Sequence, residues 1–189
     1  MATLTEDFLR EFEEVVDSLP RPLLDRLLRL KRYRGHRGDD RLSHCIKTAY
    51  LAWKWAPKLR IPRRPALLAG LLHDIGYGIP GCPLCRLDPG GHCGICHWRT
   101  GAKLLAEQGV RRDVVKAVKR HMFPYSPPPR TRLDLLVWLA DKIESTLSFL
   151  GKRVLDNTTL RRCRELIDVK SAGEPPVQSS SETARTRSE

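Results

Sequence analysis

The sequence predicts an all-α protein with one water-soluble core. Apolar residues recur at intervals of three and four along most of the chain, and the alternation typical of β-strands is absent. Of the 189 residues, 41% are apolar and 30% are charged, the balance of a domain that can bury a sizeable core. No stretch approaches the roughly 18 apolar residues that a membrane span needs. The acidic N-terminus is unlike a secretory signal, so we expect a cytoplasmic protein.

The first two predicted helices are short and lead into a basic stretch. Thr3-x-x-Glu6 is a capping-box pattern, and the apolar spacing after it predicts a helix over residues 4–18. Pro22 can begin a second, leucine-rich helix. This helix runs into the cations of residues 26–37, which form either a solvated helix face or a rim that attracts phosphates.

Two further helices follow, and the second is the candidate for the centre of the core. Asp39 or Asp40 can cap a third helix, whose apolar positions continue to Pro57. Pro65 begins an almost wholly apolar helix, and the glycines after Ile75 stop it. A helix that is apolar on all sides is expected to be buried.

The second half of the chain is also helical. Helices are predicted over residues 97–108, 112–122 and 131–149, the last of them opened by another capping-box pattern. A short helix near residues 158–168 completes the set.

These elements divide the chain into four parts. Residues 1–38 are expected to form N-terminal helices that pack on a core domain over 39–150. An irregular, cysteine-rich loop over 79–96 interrupts that domain. Residues 151–170 form a helical extension, and residues 171–189 have so little to bury that they are expected to be a disordered tail.

The functional signal is a set of polar side chains on largely apolar helices. Four histidines lie on predicted helices or at their ends, and two aspartates lie within or directly after apolar runs. A carboxylate in such surroundings is costly to bury unless it is paired or bound to a cation. Imidazoles and carboxylates suit Fe, Mn, Zn, Co or Ni, and two such ions can activate a water for attack on phosphorus. The six residues are His44, His73, Asp74, His97, His121 and Asp141.

The order of these residues resembles the HD superfamily of metal-dependent phosphohydrolases. Residues 73–76 are its HDIG motif, and the residues around His97, His121 and Asp141 are similar to those of the bacterial HD-type hydrolases that cleave diadenosine tetraphosphate symmetrically to ADP. The likeness covers about residues 40–150. It implies an HD-domain helical bundle and an enzyme that hydrolyses a nucleotide or dinucleoside polyphosphate through a water activated by two metal ions.

The same resemblance implies a role for each residue. The ligands shared across the superfamily correspond to His44, His73, Asp74 and Asp141. Asp74 would bridge two divalent transition-metal ions and thus belongs to the catalytic set, and His97 and His121 would complete the second ion. Lys142 and Arg99 are candidates to meet substrate phosphate oxygens, although each could also be an ordinary surface cation.

The cysteine-rich loop is a candidate structural metal site. Cys82-x-x-Cys85 and Cys93-x-x-Cys96 form two pairs, and four thiolates suit one tetrahedral zinc ion. A redox-sensitive disulfide pair and an iron–sulfur centre are the alternatives. Because the loop ends directly before His97, an ordered loop would position that residue.

The net charge of +12 favours a polyanionic partner. A nucleotide or another phosphorylated small molecule is expected, and a membrane is not. Nucleic acid is not favoured, since no basic stretch is interleaved with aromatic residues. Tyr77 replaces the lysine common in HD proteins that cleave cyclic dinucleotides, so that substrate class is disfavoured. The alternative function is a nucleic-acid-binding or regulatory protein with a zinc loop and a vestigial HD site.

Overall fold

The computed structural model describes residues 3–35, 38–80 and 94–173, and within these ranges the protein is all-α, as predicted. Its helices are α1 (Leu4–Asp17), α2 (Arg21–Arg29), α3 (Arg41–Trp55), α4 (Arg63–Leu72), α5 (His97–Glu107), α6 (Arg112–Arg120), α7 (Arg132–Phe149) and α8 (Asn157–Ala172). Short 3-10 helices follow α2 and α3, at Leu30–Arg32 and Ala56–Leu59. In the described ranges, no helix has the length and apolarity to cross a membrane.

Side-chain caps fix where several helices begin. Both predicted capping boxes are present, at Thr3 before α1 and at Thr131 before α7. Asp40, and not Asp39, caps α3, because its side chain accepts a hydrogen bond from the backbone N–H of Ser43. Such caps satisfy backbone donors that have no partner within the helix.

Two helices extend beyond their predicted bounds. α4 begins at Arg63, two residues before Pro65. Proline lacks a backbone N–H, but the N–H groups of the first helical turn have no acceptor within the helix, so a proline there costs no intrahelical hydrogen bond. α8 continues to Ala172, so the prediction of a disordered tail is wrong for its first residues. Ser171 is buried there and donates a hydrogen bond to Asp25. The rest of that predicted tail, residues 174–189, lies outside the described residues.

The helices α3 and α4 pack against each other at the centre of the core. Trp53 on α3 and Leu67 and Leu71 on α4 are fully buried. Gly70 makes their close approach possible, because a methyl group on Gly70 would lie 2.7 Å from the Cα of Ala49. The buried helix predicted from its apolar sequence is therefore confirmed, and its C-terminal end lies in the interior.

The N-terminal helices and α8 cover one side of this core, and the basic stretch takes part in that packing. Arg26 is half-buried and donates hydrogen bonds to the backbone carbonyls of Ile75 and Tyr77. Lys31 forms an ion pair with Asp168 on α8. Arg26 and Lys31 thus have partners within the fold, and neither a solvated helix face nor a rim that attracts phosphates describes them.

Candidate metal centre

The six predicted site residues meet in the interior of the helical bundle. His44 lies in the first turn of α3, His97 is the first residue of α5, and Asp141 lies midway along α7. His73 and His121 are the C-cap residues of α4 and α6. All six are buried, with at most 5% of their surface exposed. Five segments that are separate in sequence thus place imidazoles and carboxylates in one small volume.

Three of these residues form a first group of ligand atoms. The Nε2 atoms of His44 and His73 are 3.1 Å apart. Asp141 Oδ1 lies 3.1 Å from His44 Nε2 and 3.7 Å from His73 Nε2. All the ligand atoms of the group are within 4.8 Å of one another, close enough to share one ion.

The second group is built around Asp74. The Nε2 atoms of His97 and His121 are 3.0 Å apart, and Asp74 Oδ1 lies 2.8 Å and 3.5 Å from them. The other oxygen of Asp74, Oδ2, lies 3.4 Å from His73 Nε2 and 3.7 Å from His44 Nε2. Each carboxylate oxygen of Asp74 therefore faces a different group, which is the arrangement of a bridging ligand.

Backbone carbonyls orient two of the imidazoles. Nδ1 of His73 donates a hydrogen bond of 2.8 Å to the carbonyl of Gly70, and Nδ1 of His121 donates one of 2.7 Å to the carbonyl of Val118. With the proton on Nδ1, the lone pair of Nε2 points into the cluster. This donor set fits a transition-metal ion in each group.

The electrostatics keep the carboxylates ionised and one histidine neutral. Burial would raise the pKa of Asp74, but electrostatic interactions with His73, His97 and Arg41 hold it well below its usual range. Burial lowers the pKa of His121 to about 4. For His44, burial lowers the pKa, but hydrogen bonds to Asp141 and Glu144 outweigh this effect and raise it to about 10. A metal ion would compete with that proton for His44.

Two residues of the centre are absent from the predicted set. Nη1 of Arg41 donates a hydrogen bond of 3.1 Å to Asp74 Oδ2, and its guanidinium lies 4.4 Å from the centre of the Tyr77 ring. Glu144 is buried and accepts a hydrogen bond from Nδ1 of His44. Helical spacing could have identified both, because Arg41 precedes His44 by three residues and Glu144 follows Asp141 by three.

The structure places only one of the two predicted phosphate-binding cations beside the cluster. Lys142 Nζ lies 2.7 Å from Asp141 Oδ2 and, with Arg41, lines a pocket of about 200 Å³ that Asp74 and His97 also line. Arg99 does not line that pocket, and its guanidinium lies 5.3 Å from the centre of the Trp98 ring. Two residues correspond to about 200° around a helix, so Arg99 leaves α5 on the side away from His97.

Gly76 of the HDIG motif allows α5 to approach the turn after α4. A methyl group on Gly76 would lie 2.1 Å from the carbonyl oxygen of His97 and 2.3 Å from the backbone nitrogen of Gly101. Thr100 Oγ1 donates a hydrogen bond of 3.1 Å to the carbonyl of Gly76. The glycine therefore lets His97 reach Asp74.

The predicted zinc loop lies mostly outside the described residues. Cys82, Cys85 and Cys93 are not among them, whereas Cys96 is buried and directly precedes α5. The zinc site of the loop therefore stays a prediction.

Comparison with known proteins gives a family match over the same region. The profile of the HD domain family matches residues 41–146. Ribonuclease Y of Nitratidesulfovibrio vulgaris is 30% identical over 140 residues, which are 74% of this chain and 25% of the relative. Ribonuclease Y of Acidothermus cellulolyticus is 32% identical over 153 residues, which are 81% of this chain and 28% of the relative.

A third relative has a different name. A probable nicotinate-nucleotide adenylyltransferase/Ap4A hydrolase of Mycoplasma genitalium is 29% identical over 115 residues, which are 56% of this chain and 32% of that protein. The chain thus spans about a quarter to a third of the length of these relatives. No solved structure matches it significantly.

Proposed function

Because the chain belongs to the HD domain family, whose members are metal-dependent hydrolases, we propose that it hydrolyses a phosphate ester or anhydride of a nucleotide or dinucleoside polyphosphate. The observation that carries this proposal is the position of Asp74, with one carboxylate oxygen directed at each of two ligand groups. A binding protein with a vestigial site would not need this complete set of buried ligands.

The ligands divide between two ions. His44, His73 and Asp141 would hold one, His97 and His121 would hold the other, and Asp74 would bridge them. Divalent transition-metal ions in such a pair lower the pKa of a bound water and offset negative charge on phosphoryl oxygens. Either ion could be Fe, Mn, Zn, Co or Ni, since all of these accept imidazole and carboxylate ligands.

Arg41 and Lys142 provide the fixed positive charge around the substrate. Both line the pocket beside the ligands, and both already contact a carboxylate of the cluster. The Arg41 guanidinium is also held against Tyr77, so its direction is set before a substrate arrives. These two cations would bind the non-reacting oxygens of the phosphate.

The relatives support two substrate classes. The name of the Mycoplasma genitalium relative includes Ap4A hydrolase, which favours a dinucleoside polyphosphate. The ribonuclease Y relatives favour a second candidate, the phosphodiester bonds of RNA. Both substrates contain a nucleoside and a charged phosphate, and the same centre could act on either.

Metal analysis combined with turnover tests the proposal. The wild type and Asp74→Asn would be purified without chelator, analysed for bound metals, and assayed on diadenosine tetraphosphate and a panel of nucleotides and short RNAs. We expect about two transition-metal ions per chain at the centre of the wild type, with loss of metal and of turnover in the variant. Asp113→Asn is the matched control, because Asp113 is half-exposed, does not line the metal pocket, and forms its ion pair with Arg111. Equal metal content and turnover in Asp74→Asn would contradict the proposal.

We also propose that Cys82, Cys85, Cys93 and Cys96 hold one structural zinc ion. The double variant Cys82→Ser/Cys93→Ser should then contain one zinc ion fewer than the wild type. Unchanged zinc content would exclude the site.

A further inference from the structure

A second concave site lies between α5 and α6, on another part of the surface from the metal pocket. We call it the α5–α6 groove; its volume is about 490 Å³. Three cations and an indole ring line it over an apolar floor. These residues are Trp98, Arg99, Lys103 and Lys119, with Ala102 and Val115 beneath them.

The positive charge of the groove is not neutralised by its surroundings. None of the described residues that line it is acidic. Among the described residues, Arg99 and Lys119 have no carboxylate within ion-pair distance. Lys103 approaches Glu107 only to 3.8 Å, and both side chains are largely exposed. Uncompensated cations in a concave site favour a polyanionic occupant.

The two helices that form the groove, α5 and α6, also contribute ligands to the metal centre. His97 opens α5 and is followed by Trp98 and Arg99 in the groove. His121 closes α6, and Lys119 lies two residues before it. Groove residues and ligands of the second metal group are therefore neighbours along the sequence of both helices.

The two sites differ in size, and the difference suggests that they bind different parts of one substrate. The metal pocket, at about 200 Å³, is smaller than typical small-molecule sites of about 300 Å³ or more, whereas the groove falls within their range. The metal pocket would then hold the reacting phosphate, and the rest of the substrate would need another surface.

We propose that the α5–α6 groove binds one segment of a single-stranded nucleic acid, and that a phosphate elsewhere on the same strand occupies the metal centre. Cations that follow the backbone, together with an aromatic ring on which a base can stack, are the usual elements of single-strand binding. The guanidinium of Arg99 lies 5.3 Å from the centre of the Trp98 ring, so the groove offers both elements at one point. This inference rests on the proposed function and selects RNA-like strands as the substrate class.

The salt dependence of binding tests the role of the cations. The probe is a fluorescein-labelled oligouridylate of 12 nucleotides, and its fluorescence anisotropy is measured with the wild type and with Arg99→Gln/Lys119→Gln. We expect the dissociation constant to rise roughly tenfold or more at low salt. Affinity decreases as salt increases, and the magnitude of the slope of log affinity against log salt concentration should be smaller in the variant by about 1.4, or about 0.7 for each lost phosphate contact.

A second double variant removes the same charge elsewhere. Lys152→Gln/Arg153→Gln alters two exposed cations outside the groove and should change the slope much less. Trp98→Leu should weaken binding roughly 5- to 100-fold without changing the slope, because stacking releases no counterions. Thermal melting identifies any variant that loses its fold.

The outcomes separate this inference from the proposed function. A slope that falls equally in the two double variants would overturn the groove proposal. A second result would also overturn the groove proposal. If KM for diadenosine tetraphosphate rose only in the groove variant, while its affinity for the oligonucleotide equalled that of the control variant, the groove would bind a small dinucleotide instead. The anisotropy measurement requires no turnover. A wild type that hydrolyses no nucleotide would therefore count against the proposed function and leave the binding result intact.

Discussion

Glu144 gives His44 a fixed orientation from the side opposite the cluster. It accepts a hydrogen bond from Nδ1 of His44 and another of 2.6 Å from Ser148 Oγ, and only 1% of its surface is exposed. Such a carboxylate behind a metal-binding histidine raises the basicity of the ligand. We expect Glu144→Gln to lower metal affinity roughly 10- to 100-fold, measured by competition with a chelating dye.

The control for this prediction is Glu165→Gln, which alters an exposed carboxylate on α8. It should leave metal affinity unchanged. If Glu144→Gln bound metal as tightly as this control, the orienting role of Glu144 would be wrong.

The close packing at Gly76 predicts that a larger residue there destabilises the protein. A methyl group there would lie 2.1 Å from the carbonyl oxygen of His97, so Gly76→Ala must push α5 away from the turn. Overpacking of this kind costs roughly 1–3 kcal/mol, and we expect a loss of that order in the free energy of unfolding measured with denaturant. Gly173→Ala is the matched control, because its methyl group would meet its nearest atom at an ordinary 3.5 Å. Equal stability of the two variants would argue against close packing at Gly76.

At the scale of residues, the polar and ionisable side chains that lie on otherwise apolar helices could be identified from the sequence. Histidines and aspartates among apolar neighbours are conspicuous, and the structure brings all six together. Arg41 and Glu144 were missed because charged residues on helices are common. Their spacing of three residues from predicted ligands is the signal that could have identified them. Arg99 lines the α5–α6 groove and not the metal pocket, since proximity to His97 along the chain does not give the direction of the side chain.

At the scale of elements, the start of α7 contains a buried acid that makes stability depend on pH. Asp134 accepts hydrogen bonds from Arg120 Nη1 at 2.8 Å and from the backbone N–H groups of Arg130 and Thr131 at 3.0 Å and 3.1 Å. Burial would raise its pKa, but these hydrogen bonds outweigh that effect and lower it. The folded protein therefore favours the ionised form more than the unfolded chain does.

The sign of the pH dependence follows from that shift. The contribution of Asp134 is present above its unfolded pKa of about 3.9 and is lost as the pH falls through the lower folded pKa. Asp134→Asn should lose about 2 kcal/mol of unfolding free energy at neutral pH, and the difference from wild type should shrink at pH 3. Denaturant unfolding at both pH values measures it. A difference that does not change with pH would show that ionisation of Asp134 does not stabilise α7.

Among the elements, the beginnings of helices with a capping box were the most predictable feature and the end of α8 the least. Thr3 and Thr131 cap their helices through side-chain bonds that are local in sequence, so the pattern sufficed. The last turn of α8 depends on contacts with distant residues, including that of Ser171 with Asp25. A sequence pattern that shows only local apolar spacing underestimates such a helix.

At the scale of the whole molecule, the excess of positive charge predicts a salt-dependent reaction. With a net charge of +12, the surface should concentrate a polyphosphate substrate at low ionic strength. We expect KM to rise with sodium chloride as screening increases, with kcat much less affected. Initial rates on the best nucleotide of the panel would measure both. A KM independent of salt would show that the charge does not act on the substrate.

The α5–α6 groove is a feature that could not be predicted from the sequence. No single basic stretch contains interleaved aromatic residues, and nucleic acid was disfavoured on that ground. In the folded chain, Trp98 and Arg99 come from α5, Lys119 from α6, and Pro127 from the segment before α7. A surface assembled from three segments has no signature in any one of them.

The position of His73 and His121 at helix C-termini has an electrostatic consequence. The peptide dipoles of a helix sum to about half a negative charge at its C-terminal end. The ends of α4 and α6 both lie at the metal centre, and the carbonyls of Gly70 and Val118 that accept from the two imidazoles belong to their last turns. Two helix dipoles therefore add to the charge of the carboxylates, and the backbone itself favours the retention of cations at this point.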